Sequence, residues 1–274
     1  MKVYIIVPVF SNPELTELFL KSLGNKNNYE RVILVDDNPK KLHNKFNTFK
    51  FIDIIYGNGT NYWGGSVNLG VKHLRDNYNL NNDDLVIFAN NDIVIDFNFT
   101  DILKRDYNFK KAAFHVQVKD NNSNYIKSCG EIRFWFPFLQ DYPRGFKAEV
   151  KEVDTLTGRF LILSGLLLNS VKGIDPKLPH YGGDTDLGLK LKTKGFKSYL
   201  LRDFTCVVNL EQTGIVEKAR INQLVRLLTD IKSSFCIKYK WVLVRNHNNL
   251  VFSVFVMFSI YFKLVVIIIK NHLK

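Results

Sequence analysis

The first 95 residues alternate between short apolar runs and longer segments with a helical pattern. The apolar runs, rich in β-branched and aromatic side chains, predict buried strands at 3–7, 31–35, 51–56 and 85–89. One helix is predicted from Asn12-Pro13 to about Leu23, with Asn12 as its cap, and another from Ser66 to Tyr78, entered through a Gly64-Gly65 turn. Strands separated by helices predict an α/β fold whose central sheet is mostly parallel and flanked by helices.

The pattern changes after about residue 110. It predicts strands at 112–118, 131–136 and 160–168, a helix at 182–194, and one or two basic amphipathic helices at 215–240. The segment 134–146 is aromatic and loop-like, which is typical of a lid or of a wall that contacts an acceptor.

An apolar stretch of 20 residues, from Leu250 to Ile269, is interrupted by a single charge, Lys263. Its length fits a membrane span, an interfacial helix or a buried core helix, and these three alternatives stay open. We expect membrane association, with a main α/β domain at 1–212 and a basic, apolar, membrane-associated helical region at 213–274.

Charge is concentrated in the same C-terminal region. The chain has 274 residues, 46% of them hydrophobic, and a formal net charge of +12. Residues 213–274 hold ten Lys or Arg and two acids, so they carry +8 and the rest of the chain carries +4. A basic region that is also strongly apolar favours an anionic membrane surface and not nucleic acid as the partner.

The N-terminus and the cysteines favour the cytosol. Met1-Lys2 leads directly into the first predicted strand and not into the long apolar region of a signal peptide. Cys129, Cys206 and Cys236 are odd in number and lack metal-ligand spacing. Together with the tail, this predicts the cytoplasmic face of the cell membrane. The sequence does not indicate an oligomeric state.

Asn90-Asn91-Asp92 separates two apolar runs, 85–89 and 93–95. A carboxylate and two amides at the end of a buried strand suit Mg²⁺ or Mn²⁺ that carries phosphate oxygens, because these ions take one or two carboxylates plus substrate phosphates. The alternative is an Asx turn.

Other polar or glycine-rich motifs also follow predicted strands. Pro8-Val9-Phe10 and Asp36-Asp37 end the first and second strands, so we expect them in one crevice with the triplet. Gly64-Gly65 at a helix entry would let backbone N–H groups approach a phosphate, and the neighbouring Trp63 could stack on a base or a sugar. Capping of turns and aromatic packing in the core are the alternatives.

His180-Tyr181-Gly182-Gly183-Asp184-Thr185-Asp186 opens the predicted helix at 182–194. Acids there are stabilised by the helix dipole, which needs no function. The functional interpretation is a general base that takes a proton from a sugar hydroxyl. His180 fits a substrate contact or a packing role better than a base.

The order of these motifs resembles the family 2 glycosyltransferases of the GT-A fold, similar to bacterial rhamnosyl and O-antigen transferases, over residues 3–212. The resemblance implies that Asp92 is the metal ligand, with Asn90 in place of the family's first Asp, and that Asp184 is the catalytic base. It places at the donor Pro8, Val9, Phe10, Asp36, Asp37, Gly64, Gly65, Asn68, Asn90 and Asn91. It places at the acceptor Trp63, Arg159, His180, Tyr181, Gly183 and Asp186, where Gly183 replaces the usual Glu.

The resemblance implies an inverting, Mg²⁺- or Mn²⁺-dependent transfer from a nucleotide-sugar donor to a hydroxyl of a glycan or lipid-linked glycan, in the assembly of O-antigen, capsule or a similar surface polysaccharide. Two alternatives stay open: a catalytically decayed membrane protein that binds a glycan or nucleotide, and a sugar nucleotidyltransferase. The sequence does not identify the base, the sugar or the acceptor.

Overall fold

The computed structural model describes residues 1–24, 29–126, 129–132, 140–141, 146–208 and 223–272. The strands are β1 Val3–Val9, β2 Arg31–Asp36, β3 Ile52–Tyr56, β4 Leu85–Ala89, β5 Ile93–Ile95, β6 Ala112–Asp120, β7 Glu131–Ile132, β8 Gln140–Asp141, β9 Val150–Glu152, β10 Phe160–Ser164 and β11 Lys197–Val208. The helices are α1 Pro13–Ser22, α2 Tyr62–Tyr78, α3 Phe99–Leu103, α4 Gly165–Val171, α5 Gly183–Thr193, α6 Leu224–Thr229, α7 Ile237–His247 and α8 Leu250–His272.

One large sheet forms the centre of the protein. Its strand order is β3-β2-β1-β4-β10-β6-β11-β5, and β9 pairs with β11. The first four strands of this order are parallel to one another, as are β6 and β11, whereas β10 is antiparallel to both of its neighbours and β5 is antiparallel to β11. The α/β class is therefore confirmed, but the sheet is mixed and not mostly parallel. Its parallel pairings are those among β1 to β4 and the one between β6 and β11, and the pairings of β5, β9 and β10 are antiparallel.

Helices cover the sheet because its central strands are apolar on both faces. β4 is buried at every position, and Ile5 and Ile6, which are neighbours in β1, belong to different core clusters. Helix α2 packs closely on β1, since a Cβ added at Gly70 would lie 2.5 Å from Cγ2 of Ile6. This close packing fixes the first turn of α2 beside the carboxyl ends of β1 and β2.

Three local predictions differ from the structure. The apolar run at 160–168 is strand only to Ser164, whose side chain then caps α4 by accepting a hydrogen bond from the N–H of Leu167. Helix α2 begins at Tyr62, so Gly64 and Gly65 lie inside its first turn and not before it. Asn12 has a left-handed backbone and makes no side-chain cap, although Pro13 does begin α1. Most of the predicted lid at 134–146 lies outside the described residues.

Helices α6, α7 and α8 pack against each other, and α7 also packs on α5. Leu227 of α6 and Leu264 and Ile268 of α8 form a small core of their own. The predicted boundary at residue 212 falls within 209–222, outside the described residues, so the division into domains stays a prediction.

The attachment of α7 depends on a buried carboxylate. Asp186, in the first turn of α5, is fully buried. Its carboxylate accepts hydrogen bonds from Asn246 at 2.8 Å and His247 at 2.9 Å and forms an ion pair with Lys190 at 2.6 Å. Burial alone would raise the pKa of Asp186, but these partners outweigh it and hold the pKa below its ordinary value.

We expect Asp186→Ala to destabilise the protein by about 2–4 kcal/mol, because the variant loses charge-assisted hydrogen bonds and leaves their donors without the acceptor. Urea-induced unfolding would measure the loss. Asp76→Ala is the control, since Asp76 lies in an exposed i,i+4 pair with Lys72 and such pairs contribute about 0.5 kcal/mol or less. Equal unfolding midpoints for the two variants would contradict this account of how α7 is held.

Candidate functional site

A cavity of about 990 Å³ lies at the carboxyl ends of β1, β2 and β4. Its walls come from three parts of the chain: the strand ends with α1 and α2, the segment before β10 with the start of α5, and the C-terminal helices. Its lining includes Pro8, Val9, Phe10, Asp37, Tyr62, Trp63, Asn90, Asn91, Asp92, Thr157, Arg159, His180, Tyr181, Asp184, Lys232, Lys240 and Lys263. The structure thus brings together most of the residues that the sequence predicted for the site.

The Asn90-Asn91-Asp92 turn is held by its two amides. The side-chain oxygen of Asn90 accepts a hydrogen bond from the indole N–H of Trp63 at 3.1 Å, and the amide of Asn91 donates to the hydroxyl of Thr16 at 2.9 Å. The backbone N–H of Asn90 donates to the carbonyl of Arg159. Both amides are therefore engaged by the protein, whereas Oδ1 of Asp92 is buried and has no partner among the described residues.

The positive charge of Arg159 acts on both Asp92 and Asp184. Burial raises the pKa of Asp92, and the charge of Arg159 opposes that rise. Burial likewise raises the pKa of Asp184, against hydrogen bonds from the N–H groups of Thr185 and Gly158 and again the charge of Arg159. Nε of Arg159 is itself buried without a partner among the described residues. An arginine that retains one buried donor, near two acids whose pKa values are raised, is suited to a ligand that carries negative charge.

Asp184 lies in the first turn of α5 and faces the cavity. One of its carboxylate oxygens accepts from the N–H of Gly158 at 3.1 Å and the other from the N–H of Thr185 at 2.8 Å. Each oxygen keeps a further lone pair, because a carboxylate oxygen can accept two hydrogen bonds. The geometry therefore leaves Asp184 able to accept a proton from a group bound in the cavity.

Of the acidic pair at the end of β2, only Asp37 lines the cavity. Its carboxylate accepts hydrogen bonds from the N–H groups of Gly59, Asn61 and Tyr62 and so fixes the loop that enters α2. Asp36 is fully buried and accepts from the N–H groups of Asn38 and His43. Asp36 therefore stabilises a turn, and its position does not support the donor contact that was predicted for it.

Aromatic side chains form part of the cavity wall. Trp63 lies directly over Gly158, where an added Cβ would come within 1.9 Å of the indole ring. The ring of His180 lies 5.8 Å from that of Tyr62 and 4.7 Å from that of Tyr181. Burial, with the nearby charge of Lys232, lowers the pKa of His180 to about 4, so this imidazole is neutral at neutral pH. A neutral ring among tyrosines agrees with a contact or packing role and not with an acid.

Other predicted site residues lie behind the cavity wall. Gly64 and Gly183 both pack against Ile174 and Leu178, and the N–H of Gly64 donates to the carbonyl of Pro179. The amide of Asn68 bridges to the backbone of Ile174. Gly65 contacts Asn61, and Asp186 holds α7 as described above. Ligand contact by Gly64, Gly65, Asn68, Gly183 and Asp186 stays a prediction that these positions do not support.

The described residues offer a divalent cation few protein ligands. The described residues contain no group of three or more His, Cys, Asp or Glu that could hold a metal by themselves. Asp92 nevertheless offers one buried carboxylate oxygen that has no partner in the part of the chain that the structure describes. Such a donor suits Mg²⁺ or Mn²⁺ that is bound mainly by phosphate oxygens.

Three lysines of the cavity were not predicted. Lys232 precedes α7, Lys240 lies in α7 and Lys263 lies in α8. Burial lowers the pKa of Lys240, and the Asp184 carboxylate acts in the opposite direction. The one sequence signal for this wall was the isolated charge of Lys263 within an apolar stretch.

Comparison with known proteins gives structural likeness only. No protein-family model and no curated protein sequence matches the chain. A crystal structure of GalNAc-T7 with UDP, GalNAc and Mn²⁺ superposes with a TM-score of 0.57 at 12% identity, over 79% of this chain and 45% of the GalNAc-T7 chain. A197 from STIV superposes with a TM-score of 0.48 at 13% identity, over 75% of this chain and 84% of that one.

The chain thus spans less than half the length of the GalNAc-T7 chain. At 12% identity the GalNAc-T7 likeness shows a shared fold and no more. The likeness supports the GT-A glycosyltransferase fold that the order of the motifs led us to expect, and it does not show the finer resemblance to bacterial rhamnosyl and O-antigen transferases.

Proposed function

We propose that the protein is a glycosyltransferase that uses a nucleotide-sugar donor. One observation carries the proposal: within a GT-A fold, Asp92 with a free buried oxygen and Asp184 with free lone pairs both face a single cavity of about 990 Å³. That volume lies at the upper end of the range for small-molecule sites, as a nucleotide sugar together with part of an acceptor requires.

The donor lies against the strand ends in this proposal. Pro8, Val9, Phe10 and Asp37 line that side of the cavity and would surround the nucleoside. Asp92 would hold Mg²⁺ or Mn²⁺, which when bound neutralises charge on the diphosphate leaving group. Arg159 supplies a second positive charge at the same place, because its guanidinium influences the pKa of both Asp92 and Asp184.

Asp184 acts as the base in an inverting displacement. Its carboxylate takes the proton of an acceptor hydroxyl as the hydroxyl oxygen forms a bond to the anomeric carbon. The bond between that carbon and the diphosphate oxygen breaks on the opposite face, and the nucleoside diphosphate leaves with the bonding electrons. The hydrogen bonds from Gly158 and Thr185 hold the carboxylate in place for this step.

The acceptor is proposed to be a glycan carried by a membrane lipid, as in the assembly of a surface polysaccharide at the cytoplasmic face. Support comes from α8, in which Leu250–Lys270 is long and apolar enough to cross a membrane and is largely exposed. One face of α8 packs on the protein through Ser253, Val256 and Leu264. Its opposite face exposes Val251, Phe255, Phe258, Phe262, Val265 and Ile269.

A helix packed along one face cannot cross a bilayer without losing those contacts. We therefore propose that α8 lies in the plane of the membrane surface, with the exposed apolar face among the lipids. The basic residues of the C-terminal helices then lie near anionic headgroups.

The mechanism predicts different defects for the two acids. Asp184→Asn should lower transfer by at least about 100-fold, the usual contribution of a general base, and keep Mn²⁺-dependent binding of the nucleoside diphosphate. Asp92→Asn should lose that binding. Screening nucleotide sugars for hydrolysis first identifies a donor. Calorimetry then measures nucleoside diphosphate binding by each variant, and an assay with a glycan acceptor measures the rate of transfer. Asp76→Asn, at an exposed position of α2, is the control.

The pH profile provides a second readout of the base. Because burial raises the pKa of Asp184 above the ordinary 3.8, the carboxylate is protonated and inactive below that raised pKa. We expect kcat/KM to fall as pH decreases through a value above 3.8. Transfer by Asp184→Asn at the wild-type rate would exclude Asp184 as the base, and binding without any transfer by the wild-type protein would favour a decayed enzyme.

Membrane attachment through α8 is tested by Phe258→Ser combined with Phe262→Ser. Both side chains are exposed, at 72% and 62%, so their loss should leave folding intact. Each buried Phe contributes about 1.5–3 kcal/mol, so co-sedimentation with vesicles of anionic phospholipid should weaken by about tenfold or more. Leu18→Ser, at an exposed apolar position of α1, should bind vesicles like the wild type. Equal vesicle binding by all three proteins would contradict an interfacial α8.

A further inference from the structure

The C-terminal helices give the cavity a positively charged wall. Lys232, Lys240 and Lys263 line it, and none of their ammonium groups lies within ion-pair distance of an acid among the residues described. Elsewhere in the described chain, lysines such as Lys190 and Lys192 form ion pairs with aspartates. Unpaired ammonium groups around one cavity favour an anionic ligand there.

The position of Lys263 on α8 connects this wall with the membrane. At 100° per residue, Lys263 lies between the packed face, marked by Val256 and Leu264, and the exposed apolar face, marked by Phe255 and Phe262. If α8 lies in the membrane surface, this flank is at the depth of lipid phosphates. The single charge in the apolar stretch is therefore placed where the cavity meets the headgroup layer.

The lysine wall is chemically separate from the donor side. In the proposed function, the donor phosphates are bound by Arg159 and, through a cation, by Asp92. Beside the lysines, the cavity is lined by the apolar side chains of Phe235, Ile260 and Ile267. Ammonium groups next to hydrocarbon match an amphiphile whose phosphate lies between a lipid chain and a polar group.

We propose that Lys232 and Lys263 form a second anion subsite, which binds the phosphate or diphosphate that joins the acceptor glycan to its lipid. This inference rests on the proposed function and adds the chemical class of the acceptor to it. Lys240, the neighbour of Asp184, lies deeper in the same wall and extends the positive charge toward the reacting hydroxyl.

The test compares Lys263→Gln with Lys270→Gln. Lys270 lies seven residues further along α8, on the same flank, but does not line the cavity, so it shares the membrane attraction and lacks the subsite. For an acceptor linked to a prenyl diphosphate, Lys263→Gln should raise KM about tenfold or more and Lys270→Gln should leave it near the wild-type value. For the same glycan without lipid and phosphate, both variants should match the wild type.

Direct binding separates this inference from the proposed function. Calorimetry with a short-chain prenyl diphosphate needs no transfer, so it reports on the subsite even if no transferase activity exists. We expect binding to wild type, about tenfold weaker binding to Lys263→Gln and to Lys232→Gln, and an unchanged affinity for the nucleoside diphosphate with Mn²⁺.

Three results would overturn the proposal. Equal losses in Lys263→Gln and Lys270→Gln would mean general attraction to anionic lipid. Weaker nucleoside diphosphate binding in Lys263→Gln would assign the lysine to the donor. Inorganic pyrophosphate that binds as tightly as the prenyl diphosphate would indicate a site for a free anion and not for a lipid.

Discussion

The buried carboxylate of Asp186 connects the two halves of the candidate site. It lies in the same helical turn as Asp184, two residues away, so the two side chains point in different directions from α5. Asp184 faces the cavity, whereas Asp186 binds Asn246 and His247 at the end of α7. Helix α5 therefore both presents the proposed base and holds the C-terminal wall of the cavity. The position of Asp184 relative to the lysines of that wall depends on the first turn of this helix.

The free energy of burying acids sets a second constraint. Asp92 and Asp184 both have pKa values raised by burial, and Arg159 compensates them only in part. In a protein without ligands, ionised carboxylates at these positions are unfavourable, which favours binding of a cation or uptake of a proton. In contrast, Asp36 and Asp186 have enough hydrogen bonds to be structural. Position separates the acids with proposed functions from the structural ones, because Asp92 and Asp184 line the cavity and Asp36 and Asp186 do not.

Much of this fold could be predicted from the sequence because the signals were local. Apolar runs predicted the positions of β1, β2 and β4. The polar residues at their carboxyl ends predicted the edge of the sheet at which the cavity lies. Antiparallel pairing of β10 was not predictable, since it depends on contacts between segments distant in the chain. The same limit explains Asp36 and Asp37, neighbours with the same side chain that face different environments.

The glycines of α2 show a related limit of sequence analysis. Gly64 and Gly65 match the pattern of a phosphate-binding helix entry. In the structure, Ile174 and the carbonyl of Leu178 lie against Gly64 and leave no space for a side chain there. A sequence shows that a side chain is absent but not which atoms occupy the space. The lysine wall escaped prediction because its members are spread over residues 232 to 263 and meet only through the packing of α7 on α8.

The isolated charge in α8 shows how such tertiary information changes the interpretation of a sequence. In a spanning helix, a central lysine would face hydrocarbon at a cost of about 2.5–3.5 kcal/mol. In the folded chain the same residue lies on the flank between the packed and the exposed faces and lines the cavity, so its ammonium group stays solvated or meets an anion. The charge is thus unfavourable for a span and favourable for an in-plane helix. In the proposed in-plane arrangement, which would satisfy both the apolar face and Lys263, the mouth of the cavity would lie at the membrane surface.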